Sequence, residues 1–128
     1  MAGTHDGIAA VLSREAGLDA AQARTYVLIA TGGAMDAARV AGELGIGEDE
    51  ALAAARALVA LGGLIDYGNG RFESMHPRFA AVNMYRKSCE AAGREPSRND
   101  AIDGVGASLE DEYDRARDKR GTRGGGAR

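Results

Sequence analysis

Apolar side chains recur along this chain at helical spacing, in blocks separated by glycine. Ile8, Val11, Leu12 and Ala16 share one face, Thr4 or Asp6 is placed to cap, and Gly17 stands where a left-handed end residue is wanted, which predicts a helix over 5–16. Asp19 offers an acceptor to the free amides of a second helix, in which Ala23, Tyr26, Val27 and Ala30 form a stripe until Thr31-Gly32-Gly33 stops it. Asp36 caps a third, two-turn helix with Ala37, Val40, Ala41 and Leu44 inward and Arg39 and Glu43 outward, ended by Gly45. A fourth follows from Glu48 to about Leu61, its inward stripe being Leu52, Ala55 and Leu58 or Val59.

The pattern then changes period. Leu64, Ile65 and Tyr67, then Arg71, Phe72 and Met75, flank Gly68-Asn69-Gly70, a strong hairpin signal in which Asn69 is expected to take the positive φ of a two-residue primed turn. Pro77 opens a fifth helix to about Ala92, with Phe79, Val82, Tyr85 or Arg86, and Cys89 along one side. After the break Gly93-Arg94-Glu95-Pro96-Ser97, with Ser97 or Asn99 as cap, a last helical segment runs to about Arg120. Ile102, Val105, Leu109 and Ala116 follow a heptad in it, with Tyr113 adjacent and Glu112 spoiling one position. The fold expected is mainly α with a small β-hairpin: a winged helix-turn-helix with additional C-terminal helices. Residues 1–76 form the winged domain, 77–120 the C-terminal helices and 121–128 a disordered, basic, Gly-rich tail.

Composition and charge narrow the function. Among 128 residues there are 19 Gly, no Trp and six aromatics, so Ala, Leu, Val and Ile must build the core. The net charge of −3 lacks the basic surplus that usually accompanies phosphate binding. A single cysteine, Cys89, excludes an intramolecular disulfide and fits a reducing compartment, and no segment reads as a signal peptide or membrane span, so a cytoplasmic location is expected. No phosphate-binding Gly-rich loop, no Gly-x-Ser-x-Gly and no companion for His5, His76 or Cys89 is present; neither enzymatic activity, nor a metal, nor a cofactor is expected.

In a helix-turn-helix, residues 48–61 would lie in the major groove. Their outward positions are expected to be Asp49, Glu50, Ala53, Ala54 and Ala57, where base reading calls for forks and amides. That face is wrong for duplex DNA and fits a solvated, well-capped helix or an Ala-rich face packed against another helix. The candidates for touching DNA are therefore Arg39 and Arg56 on the motif, Asn69 and Arg71 at the wing, and Arg78, Arg86 and Lys87 on the fifth helix. Asn69 also answers to turn geometry alone, and the basic cluster to solvation. The stripe Ile102, Val105, Leu109, Tyr113 and Ala116 needs a partner, either the chain's own core or the same helix of a second copy; a homodimer through it is the expectation.

From Ala16 to Met75 the chain resembles the N-terminal DNA-binding domain of the archaeal TrmB-like, sugar-responsive transcription regulators, within the wider MarR-like winged helices. The likeness lies in Gly17-Leu18 before Ala23, Arg24 and Tyr26, in Ala37 to Gly45 as the first helix of the motif, and in Leu61 to Ile65 leading into the wing. It implies a dimeric transcription regulator. The sequence departs from the family in carrying Glu48, Asp49 and Glu50 where Arg, Ser or Tyr is usual, and in lacking the sugar-binding domain. The alternative is a winged-helix protein-interaction module that has lost sequence-specific DNA reading.

Overall fold

A computed structural model describes residues 4–126, with side chains to Asp118. The elements are α1 (His5–Ala16), α2 (Ala20–Gly32), β1 (Met35–Asp36), α3 (Ala37–Leu44), α4 (Glu48–Ala60), β2 (Leu64–Asp66), β3 (Arg71–Ser74), α5 (Pro77–Ala91) and α6 (Asp100–Gly126). The chain is mostly helical, with one three-stranded antiparallel sheet. The side chains of the tail expected at 121–128, and the backbone of 127 and 128, lie outside the described residues.

Local chemistry sets most boundaries. Thr4 Oγ1 accepts from Gly7 N at 3.0 Å to start α1, and Gly17 at φ +71° ends it. Asp19 and Gln22 form a reciprocal capping box at α2, with Gln22 N donating to Asp19 Oδ1 at 2.8 Å and Asp19 N to Gln22 Oε1 at 3.0 Å. Asp36 Oδ1 accepts from Arg39 N at 2.9 Å and starts α3. Gly45, at φ +69°, turns the chain toward α4, whose first turn has no side-chain cap but carries Glu48, Asp49 and Glu50 at the positive end of the helix dipole. Asn99 Oδ1 caps α6 by accepting from Ile102 N at 3.1 Å.

The sheet has the order β1-β3-β2, with Met35 opposite Phe72, Asp36 opposite Arg71, and Leu64 opposite Ser74. Its inner face brings Leu64, Phe72 and Met35 onto the helices, while Ile65 and Tyr67 remain exposed. The hairpin is closed by Tyr67 N donating to Arg71 O at 3.2 Å. The primed turn with Asn69 at positive φ is not what forms: Gly68 and Gly70 take φ +83° and +86°, and no non-glycine residue has positive φ among the described residues. Asn69 serves instead through its side chain, Oδ1 accepting from Arg71 N at 3.1 Å, while Asp66 Oδ1 accepts from Gly68 N at 2.7 Å.

One contiguous core joins Ile8 and Leu12 of α1, Tyr26 and Ile29 of α2, Val40, Leu58, Phe72 and Met84, and Ile102, Val105 and Leu109 of α6. Tyr26 is fully buried, its hydroxyl 3.0 Å from Ser74 Oγ, and burial pushes its phenol up. Helix α6 packs on α5, α2 and α1. The expectation of a homodimer through Ile102, Val105, Leu109, Tyr113 and Ala116 is corrected accordingly. The first four are buried in their own chain and Ala116 is half-buried, so the stripe is already filled. Two smaller expectations also change. Phe79 is 67% exposed, because α5 turns Ala80, Ala81, Met84 and Tyr85 inward; and Ala54 is buried while Leu52 and Val59 are only half-buried.

Candidate nucleic-acid interface and an arginine-lined groove

The outward stripe of α4 is Asp49, Ala53, Arg56 and Ala60, all exposed, beside exposed Glu48 and Glu50. Arg56 therefore stands in the middle of the face that the sequence assigned to Ala53, Ala54 and Ala57. It has no ion pair among the described residues. The outward face thus carries one guanidinium among three carboxylates.

The other expected DNA contacts fall in different places. Arg78, at the start of α5, gives Nε and Nη2 to Glu110 Oε1 at 3.1 and 3.0 Å, so its charge is engaged by α6. That bond raises the Arg78 guanidinium and holds the Glu110 carboxyl below its ordinary value. His76 completes the cluster, Nε2 lying 3.5 Å from Glu110 Oε2 while Nδ1 accepts from Arg78 N. Arg86 and Lys87 are exposed on α5; Arg86 borders a separate hollow of about 280 Å³ with Tyr85, Pro96 and Asp103. Asn69 is exposed at the hairpin tip and engaged with its own turn.

Arg39 and Arg71 do come together. They line an open groove of about 760 Å³ with Thr31 and Gly32 at the end of α2, Gly33 and Ala34 after it, and Glu112, Arg115, Ala116 and Asp118 of α6. Arg71 is fixed at the edge of the groove by Nη2 donating to Ala34 O at 3.1 Å. Arg39 reaches Glu43 only at 3.8 Å, an exposed pair of small energetic value. Arg115 was missed as a site residue because in sequence it merely begins a basic run. The usable signal was spacing: Glu112, Arg115 and Asp118 succeed one another every three residues, on the side of α6 next to Tyr113 and Ala116.

Among the described residues no group of three or more His, Cys, Asp or Glu is arranged to hold a metal ion, and Cys89 is buried. No helix among them is long and apolar enough to cross a membrane. Comparison with known proteins finds no matching family profile, no matching characterised protein and no matching solved structure.

Proposed function

We propose that residues 20–75 form a winged helix-turn-helix and that the protein is a DNA-binding transcription regulator of that type, akin to the TrmB-like proteins. The observation that carries this reading is the element order together with the strand pairing. Helix α2, the short strand β1, the α3-turn-α4 pair and the β2–β3 hairpin follow in sequence, and β1 completes the sheet on the free side of β3. In that arrangement α4 faces the major groove and the hairpin is the wing.

With Glu48, Asp49 and Glu50 on α4, affinity has to come from phosphate contacts by Arg56, Arg86, Lys87 and the wing. Binding is then weakly sequence-dependent and steeply salt-sensitive. A mobility-shift titration with random duplex tests this. A shift at about 20 mM salt, where phosphate attraction is least screened, should weaken as salt rises, and Arg56→Glu should weaken it by at least about tenfold. Absence of any shift at that salt rejects the regulator.

A second reading has an observation of its own. The carboxylate-rich start of α4, with exposed Ala53 and Ala60 beside half-buried Leu52 and Val59, suits a protein partner carrying basic side chains. Replacing Glu48, Asp49 and Glu50 with their amides separates the two. Tighter DNA binding supports the regulator; unchanged DNA binding supports an interaction module.

A further inference from the structure

No described residue of α4 lines the groove of Arg39, Arg71 and Arg115. Its three guanidinium groups arrive from three elements far apart in sequence, α3, β3 and α6, so only the folded chain assembles them. Each guanidinium carries five donors in a fork that matches phosphate oxygens. Arg71 uses Nη2 on Ala34 O, which orients it and leaves donors to spare. Arg115 has Glu112 three residues before it and Asp118 three residues after it. It forms an ion pair with neither, nor with any other described residue. Glu112 is engaged by α1, both its oxygens lying 3.0 Å from His5 Nε2.

The remaining lining residues narrow the ligand. Among the described residues, Glu112 and Asp118 set two carboxylates against three guanidinium charges, a balance that suits one compact anion better than a row of them. A duplex strand would bring its following phosphates against Glu112 and Asp118; a single phosphate monoester would not. Carboxylates beside a bound phosphate accept hydrogen bonds from hydroxyl groups, and no aromatic ring lines the groove to stack a base. The volume of about 760 Å³ falls within the range of small-molecule sites. We propose that this groove binds a small, phosphorylated, hydroxyl-bearing molecule, with Arg39, Arg71 and Arg115 holding the phosphate and Glu112 and Asp118 accepting hydrogen bonds from its hydroxyl groups.

Titration calorimetry of the full chain with ribose 5-phosphate tests the proposal, with inorganic phosphate and ribose as its two halves. Ribose 5-phosphate should bind one per chain and more tightly than inorganic phosphate, and ribose should give no binding. Arg115→Gln should weaken ribose 5-phosphate by at least about tenfold, the loss of one charged hydrogen-bonding partner. Arg24→Gln, an exposed cation on α2 outside the groove, should leave it unchanged. Glu112→Gln should reduce the advantage of ribose 5-phosphate over inorganic phosphate. Equal weakening by Arg115→Gln and Arg24→Gln would mean general charge attraction and overturn the proposal. So would no binding of ribose 5-phosphate while Arg115→Gln weakens a duplex, which would give the groove to nucleic acid. The Arg56→Glu titration depends on α4 alone, so the regulator reading and this one can fail separately.

Discussion

Two glycines one residue apart on α6 meet opposite surroundings. A Cβ at Gly106 would lie 2.7 Å from Arg78 Cα, whereas one at Gly104 meets nothing within 4 Å. Gly106 is thus what lets α6 approach the backbone of α5, and Gly104 only adds chain entropy to be lost on folding. Gly106→Ala is expected to destabilise by about 1–3 kcal/mol through overpacking. Gly104→Ala is expected to stabilise by up to about 1 kcal/mol. Thermal or denaturant melts of the two variants check both signs. The same distinction governs the hairpin tip. Gly68→Ala or Gly70→Ala should cost about 1–2 kcal/mol each for the left-handed backbone, while Asn69→Ala gives up a single exposed hydrogen bond to Arg71 N. The Gly-Asn-Gly tip was legible in sequence; which of its residues bears the positive φ was not, because glycine and asparagine both tolerate it.

At the scale of elements, helix starts were the most legible part of the chain. Caps act within three residues: Thr4, Asp19, Asp36 and Asn99 were each named or offered as caps, and each accepts from the amide three residues on. Strand β1 was not legible, since its two residues carry no periodicity and exist only because β3 pairs with them. The partner of α6 was equally out of reach, because a heptad stripe reads the same whether its own core or a second copy fills it. The clamp between α6 and α5 has a pH consequence. The hydrogen bond from Arg78 holds Glu110 below its ordinary carboxyl value, and the hydrogen bond from Asn99 does the same for Glu15 of α1. A carboxyl lowered in the folded state adds stability above its unfolded value, near pH 4.3, and loses it as pH falls through the lowered folded value. Melting temperature should therefore decline on acidification from about pH 5 to 3, and Glu110→Gln should flatten part of that decline. A variant whose acid limb matches the wild type would show the clamp to be too exposed to count.

At the scale of the whole molecule, α6 belongs to the same core as the helices before the hairpin. Deleting residues 100–128 removes Ile102 and Leu109, each worth about 2–5 kcal/mol when truncated. It also removes the helix that packs on α1, α2 and α5. Against a total stability on the order of 5–15 kcal/mol, the shortened chain is expected to lose its cooperative melt, which circular dichroism on heating would show. The groove follows the same logic: Arg39 and Arg71 were visible as cations and Arg115 as part of a run, but their meeting depends on how α6 packs against α2, which no local pattern encodes.

The contact between the first helix and the last also bears on how the protein is made. Between Ala16 and Asp100 the ribosome must add 84 residues, which takes roughly 4–17 s at the usual pace of synthesis. Throughout that interval α1 lacks α6, one of the helices it packs against, and the core lacks Ile102, Val105 and Leu109. Helices α2 and α5 also pack on α1, so the face turned toward α6 is the part of its surface left open in that interval. Completion of the core then waits for α6 to emerge and pack on α1, α2 and α5.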